Sequence, residues 1–360
     1  MQHKDILHVV TVVGARPQFV KAAVVSRAIQ MLNASGTTRT IKEEIVHTGQ
    51  HYDHGMSQVF FDEMNIPTPA WNLAIGSGKH GAMTGAMMAG IEQLLEERRP
   101  DCLLVYGDTN STVAGAMAAA KLHVPVIHVE AGLRSFNRRM PEEINRVVTD
   151  HLSSMLLCPS ERARQHLMRE GITEGVQVVG DVMCDAVHHY LGNARPPSCR
   201  EPFALCTLHR AENTDDPERM TAILEALDAS PVPIFLPLHP RTRSFLDRTG
   251  VRLPSRIIVG EPLPYFDMLG YLKHCRFVIT DSGGLQKEAY FVGKRCITVR
   301  DETEWVELVE LGANRVVGAD GDAIRDAFSW ALSDLSVEPV YGRGDAGIRI
   351  ANLLADIGKR

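Results

Sequence analysis

Apolar and polar positions fall into a repeating rhythm along this chain. Short β-branched runs at 6–13, 44–48, 102–106, 126–129, 155–158 and 176–179 are each followed by a stretch with helical apolar spacing. Such alternation is the signature of parallel sheets built from βαβ units, here six strands in one doubly wound sheet. Helices are predicted over 17–32, 54–64, 79–98, 109–122, 141–152 and 161–170, with Pro17 and Pro141 suited to first turns, where a missing amide hydrogen costs nothing. The paired prolines and polar residues of 191–202 (LGNARPPSCREP) break the rhythm and read as a linker. A second α/β set follows, with strands at 203–208, 234–238, 257–259, 277–280, 296–299 and 315–317. The expectation is therefore an α/β protein of two Rossmann-like domains, 1–190 and 200–344. A last helix within 345–360 is expected to pack back on the first domain.

Composition changes this picture little. At 360 residues the chain exceeds one ordinary core, and 44% apolar with 23% charged residues is a globular composition. The net charge of -6 gives nucleic acid no overall attraction, so an anionic ligand needs local cations or helix N-termini. Seven scattered cysteines without CxxC spacing indicate neither a disulfide framework nor a zinc site. No run approaches the roughly 18 to 20 apolar residues of a bilayer span, and the N-terminal apolar run leads into Arg16-Pro17 rather than a cleavage site. A cytoplasmic protein without membrane contact is expected.

Chemistry concentrates immediately after the strands, where ligands bind in open α/β sheets. GARPQFVK, HTGQHYD, GDTNST and EAGLRS follow the first four strands, and LHRAEN, LHPRTR and TDSGGLQKE recur in the second domain. Two sheets with polar carboxyl ends imply a shared cleft between the domains. In TDSGGLQKE the bare glycines let amides approach a diphosphate at a helix N-terminus, and Glu288 suits ribose hydroxyls. A plain Gly-rich turn capped by Ser282 explains the same residues. Arg16, Lys21 and His209 are candidate phosphate cations, although Lys21 also fits a solvated helix face. Asp108, Glu130 and Glu142 arrive from three successive βα loops and suit acid and base roles. Capping or first-turn placement explains Asp108 and Glu142 equally well, whereas Glu130 ends an apolar strand and has no cap to form. His51-x-x-His54 and His188-His189 lack a third ligand at metal spacing, the GxGxxG spacings at Gly76–Gly81 and Gly342–Gly347 do not directly follow a predicted strand, and Walker A does not occur, so neither a metal nor a nicotinamide cofactor is expected.

As a set, the motifs resemble the non-hydrolysing UDP-N-acetylglucosamine 2-epimerase family, whose fold is called GT-B. From Val10 to Gly347 the chain carries G-x-R-P, G-D-T, H-x-E-A-G-L-R, P-E-E-x-N-R, H-R-x-E and T-D-S-G-G-x-Q-x-E in order. The resemblance implies a two-domain active site in the interdomain cleft, with Asp108, Glu130, Glu142 and His209 as catalytic groups. By the same resemblance Arg16, Lys21, Arg146, Ser282 and Glu288 match substrate-binding positions, and Gln50, His51, Arg134, Arg210, Gly283 and Gly284 are further expected substrate contacts. It also implies anti elimination of UDP to a 2-acetamidoglucal and re-addition of UDP with carbon 2 inverted. By the same resemblance, neither metal nor redox cofactor is expected to take part. UDP-sugar and UDP are the implied ligands, a homodimer the implied assembly, and surface-polysaccharide precursors the implied product class.

Two departures qualify the resemblance. Gln50-His51 is followed by Asp53 where substrate-activated members carry a second glutamine, which argues against allosteric activation. The loop RSFNRRMPEEINR adds Arg138 and Arg139 and, with TLHRAENTDD and RDETEWVE, resembles the branch that epimerises UDP-2,3-diacetamido-2,3-dideoxyglucuronate. A guanidinium there suits the uronate carboxylate, and a solvated basic loop is the alternative. A hydrolysing epimerase and a GT-B glycosyltransferase remain the rival functions.

Overall fold

The computed structural model describes residues 6–36, 39–49, 64, 66–76, 78–199 and 202–358. The chain divides into two units, Met1–Ala186 with Pro339–Arg360, and Val187–Glu338.

The sheet of the first unit contains β1 (Ile6–Val13), β2 (Thr40–His47), β3 (Trp71–Asn72), β4 (Cys102–Tyr106), β5 (Val126–Val129), β6 (Met155–Cys158) and β7 (Val176–Val178). All pairings are parallel, in the order β3-β2-β1-β4-β5-β6-β7. Seven strands replace the six expected. The additional one, β3, is two residues beside Val46 and His47, too short to leave a hydrophobic period. The helix predicted over 54–64 lies, apart from Met64, outside the described residues, as do Gln50, His51 and Asp53. Helices α1 (Arg16–Ser35), α2 (His80–Arg98), α3 (Asn110–Lys121), α4 (Pro141–Leu152), α5 (Glu161–Arg169) and α6 (Val182–Tyr190) connect or follow the strands.

Order in this sheet reverses between β1 and β4, which makes the loops after those two strands the ones flanking the switch point, where open α/β sheets bind ligands. The core beneath joins Val10, Val12, Leu103 and Val105 of the sheet to Met87 and Ile91 of α2 and Ala114 and Ala118 of α3. The small side chains of α3 allow it to lie close to the strands, so its N-terminus sits hard against the switch point.

The second unit has β8 (Ala204–Thr207), β9 (Ile234–Pro237), β10 (Ile257–Gly260), β11 (Val278–Thr280), β12 (Cys296–Thr298) and β13 (Asn314–Val316). They run parallel in the order β10-β9-β8-β11-β12-β13, with the switch point between β8 and β11. Its helices are α7 (Ala211–Thr214), α8 (Pro217–Leu227), α9 (Pro240–Thr249), α10 (Tyr265–His274), α11 (Gly283–Phe291), α12 (Val306–Glu310) and α13 (Gly321–Ala331). Cys206, Cys275 and Cys296 are buried there as free thiols, and burial pushes Cys275 and Cys296 up to about 12. The boundary between units falls inside α6, ahead of the 191–202 stretch read as the linker. The final helix, α14 (Ala346–Ala355), belongs to the first unit and packs on α1. Asp185 receives the amide hydrogens of Ala346 and Gly347 at 3.1 and 2.9 Å. Among the described residues no helix is long and apolar enough to cross a membrane.

Candidate active site

In the first unit a buried glutamine ties together the two loops at the switch point. Gln18, in the first turn of α1, accepts the amide hydrogens of Gly14 and Ala15 at 2.8 and 3.0 Å. Its own amide donates to Tyr106 O at 2.9 Å and Thr112 Oγ1 at 3.0 Å. The turn after β1 is thereby fixed to the turn after β4. Arg16, the first residue of α1, is half-buried beside this junction.

Glu130 leaves β5 with a φ of 72°, a left-handed backbone that glutamate rarely adopts. Strain of this kind costs about 1–3 kcal/mol and persists where the surroundings over-determine it, commonly at functional sites. The residue is 8% exposed, and its carboxylate is hydrogen-bonded to Lys21 Nζ. Gly107, at a φ of 62°, passes directly beside this pair, because a Cβ there would lie 3.1 Å from Glu130 Oε2 and 3.2 Å from Lys21 Nζ. Lys21 is therefore neither a solvated lysine nor an unmatched phosphate cation. Its charge is neutralised by Glu130.

Asp108 follows Gly107, and its carboxylate receives Arg146 Nε at 3.1 Å and Arg146 Nη2. The cap of α3 is Thr109, whose Oγ1 accepts Thr112 N at 3.3 Å, so capping does not explain Asp108. Glu142 lies half-buried in the first turn of α4, where the helix dipole favours a negative charge. Its neighbour Glu143 is the buried one, which the sequence did not distinguish.

Helix α4 organises the loops around these carboxylates from one face. Glu143 accepts Ser135 N at 2.9 Å, Phe136 N at 3.0 Å and Arg146 Nη1 at 3.1 Å. One turn on, Arg146 holds Asp108. At the C-terminal end Asp150 lies 2.7 Å from His128 Nδ1 and accepts Gly132 N at 3.1 Å and Arg134 Nη1 at 2.6 Å. Burial pushes Asp150 up, but His128 and Arg134 outweigh it and leave its carboxyl below the usual range. Arg134 also forks onto Glu170 at 2.7 Å from both Nε and Nη2, which holds Glu170 below its ordinary value. Arg134, 2% exposed, is enclosed by protein acceptors, and Arg146 braces Asp108. Arg138 and Arg139 project from the exposed loop ahead of α4. His128, Glu143 and Asp150 escaped the sequence reading, since only tertiary burial separates them from their polar neighbours.

The second unit repeats the pattern at its own switch point. Buried Asp281, after β11, accepts the amide hydrogens of His209 at 2.9 Å and Arg210 at 2.9 Å, together with Asn213 Nδ2 at 3.1 Å. Its Oδ1 also lies 3.2 Å from His209 Nδ1. Burial is the largest influence on His209 and lowers its pKa despite Asp281, so the cation expected there is disfavoured. Ser282 stands at the N-cap of α11, yet its side chain makes no capping hydrogen bond. The first amides of α11 thus lack the serine cap that the plain-turn reading requires. Gly283 leaves room for Glu304: a Cβ would lie 2.5 Å from Glu304 Oε1 and displace that carboxylate. Gly284 is exposed, and Glu288 lies half-buried further along α11. Among the described residues no group of three or more His, Cys, Asp or Glu side chains is placed to hold a metal ion.

Sequence comparison places this architecture. The family model described as UDP-N-acetylglucosamine 2-epimerase matches residues 33–355. The chain belongs to that family. It is an isomerase with the GT-B arrangement of two parallel-sheet α/β domains. One relative, the UDP-2,3-diacetamido-2,3-dideoxy-D-glucuronate 2-epimerase of Pseudomonas aeruginosa, is 48% identical over 98% of this chain and 100% of its own. The Methanocaldococcus jannaschii UDP-GlcNAc 2-epimerase, solved in complex with UDP-GlcNAc and UDP, matches with a TM-score of 0.88 and 40% identity. That match covers 97% of this chain and 99% of the other. CalG4, the calicheamicin glycosyltransferase, shares the fold alone, at a TM-score of 0.54 and 15% identity over 99% of this chain and 97% of its own.

Proposed function

We propose that this UDP-sugar 2-epimerase inverts carbon 2 of a UDP-linked N-acetylhexosamine without hydrolysing it. The observation that carries the reading is Glu130: a buried carboxylate on left-handed backbone, ion-paired with Lys21 beside the turn that bears Asp108. Asp108, Glu130 and Glu142 supply the groups that take and return the carbon 2 proton, general acid–base work worth about 10²–10⁴-fold. As the proton leaves, the C1–O bond breaks with its electron pair going to UDP, and a C1–C2 double bond forms. UDP then re-adds to C1 while a proton reaches the opposite face of C2. The sequence is redox-neutral. The amides of Gly283 and Gly284 suit the diphosphate, where charge builds as the bond breaks. His209, with Nδ1 directed at Asp281, leaves Nε2 to exchange a proton. A nucleotide-activated amino sugar of this kind serves as a donor for surface-polysaccharide synthesis.

Incubation with UDP-N-acetylglucosamine in deuterium oxide tests the reading. Deuterium at carbon 2 of a product still linked to UDP is expected. Free N-acetylmannosamine with UDP points instead to a hydrolysing enzyme, and transfer to an acceptor points to a glycosyltransferase.

A more specific substrate is favoured by the exposed Arg138 and Arg139 and by the 48% identity to the diacetamido-glucuronate enzyme. On this reading one guanidinium takes the uronate carboxylate. Replacing both with Gln raises KM for the diacetamido-uronate roughly 10- to 100-fold, the worth of a charge-assisted contact, and leaves UDP-N-acetylglucosamine unaffected. Equal effects on both substrates exclude it.

A further inference from the structure

We infer that His128 is a positioning residue for the Asp108 turn and acts as an imidazolium with a hydrogen on each ring nitrogen. Its kinetic consequence rests on the functional reading above, and its protonation does not.

His128 has no exposed surface, and both of its ring nitrogens face acceptors. Nε2 lies 2.7 Å from the Gly107 carbonyl oxygen, which has no hydrogen to give, so Nε2 donates. Nδ1 lies 2.7 Å from Asp150 Oδ1, while Oδ2 of the same carboxylate takes Arg134 Nη1 and Gly132 N. A carboxylate against a guanidinium is the charged form, an acceptor only, so Nδ1 donates as well. Asp150 comes from α4, Arg134 from the loop after β5, and Glu170 stands behind Arg134 at the end of α5. Glu170 is exposed, and His151 Nδ1 lies 4.0 Å from its Oε2, so the two acceptors of the His128 ring carry the assignment. On the other side, beyond Gly107, lies the Lys21–Glu130 pair, itself neutral.

The link to the reaction is geometric. Gly107 N donates to Val129 O at 3.0 Å, and Gly107 O accepts from His128, so this turn is held from both of its polar groups. Asp108 is the next residue. Its carboxylate is set from behind by His128, through the backbone, and in front by Arg146.

Nitrogen NMR of the full chain labelled with ¹⁵N-histidine tests the protonation, with His128 assigned by the signals missing from His128→Gln. Two N–H ring signals at neutral pH are expected, and one bare imine-type nitrogen overturns the assignment. The positioning role is read from kinetics. Glutamine places an amide near the Nε2 position and keeps the bond to Gly107, whereas asparagine reaches only the Nδ1 position. His128→Asn is expected to lose about 100-fold in kcat with little change in KM, the scale of a misplaced catalytic group, and His128→Gln less than tenfold. Equal losses in the two variants, or full activity in His128→Asn, overturn it. If His128→Asn does not fold, scalar coupling across the hydrogen bond from His128 Nε2 to the Gly107 carbonyl carbon in the natural chain decides, and its absence refutes the contact. A natural chain inactive on every UDP-hexosamine defeats the preceding functional reading and leaves the nitrogen spectrum to decide this one.

Discussion

Arg134 carries five donors, and four of them are committed to Glu170, Asp150 and the Leu133 carbonyl. Its place four residues after Glu130 invites a substrate role, but its enclosure makes it a brace. Arg134→Lys keeps the charge and loses the fork, so stability falls by about 2–4 kcal/mol in calorimetry while KM for the UDP-sugar is unchanged. The same cluster sets an acid limit. Asp150 and Glu170 both titrate below their ordinary values in the folded chain. Their stabilisation is complete above the unfolded carboxylate range of about 4 and disappears as pH falls through the folded values. The melting temperature therefore drops most steeply below about pH 4, and Glu170→Gln, which removes its share of the linkage, shows a shallower acid slope. A parallel slope in this variant contradicts the assignment. Glu130 is legible in the sequence from its position at the end of an apolar strand. The choice between Glu142 and Glu143 was not legible, because two adjacent carboxylates differ only in which way the helix turns them.

At the scale of the element, α4 shows how one helix serves several loops. Glu143, Arg146 and Asp150 recur at spacings of three and four, so they share a face, and each is buried. They attach the helix to residues 135–136, to Asp108, and to His128, Gly132 and Arg134. Pro141 and the first-turn acids made the helix predictable, yet a charged buried face carries no hydrophobic period to announce itself. Glu143→Gln keeps an acceptor for one loop amide and loses the charge opposite Arg146. Amide exchange over residues 133–139 is expected to accelerate roughly tenfold, equivalent to about 1.4 kcal/mol of local opening, while β4 and β5 stay protected. Unchanged exchange in that loop would show that α4 does not hold it. Strand limits were legible to within a few residues where the strand is a near-continuous apolar run, as in β4 and β6, and β3 was not, because two residues make no pattern.

The chain's end belongs to its beginning at the scale of the molecule. Residues Pro339–Arg360 return to the first unit, where Ile350, Ala351, Leu354 and Ala355 of α14 are at most 1% exposed. Burial of Ile350 and Leu354 alone contributes about 3–6 kcal/mol. Truncation after Glu338 is accordingly expected to lower the stability of the first unit by several kcal/mol, measured by urea unfolding followed at Trp71, with little effect on the second unit followed at Trp305. A truncated chain with an unchanged first-unit midpoint would refute this anchoring. The sequence alone determined the two parallel sheets, the candidate loops after their strands and the family, since these depend on local apolar spacing and short motifs. Tertiary structure decided which polar groups face one another: Lys21 with Glu130, Arg146 with Asp108, Arg134 with Glu170, and His128 between Gly107 and Asp150. A charge's role depends on its partner and its access to water, and both are set by residues far away in the chain that only folding brings near.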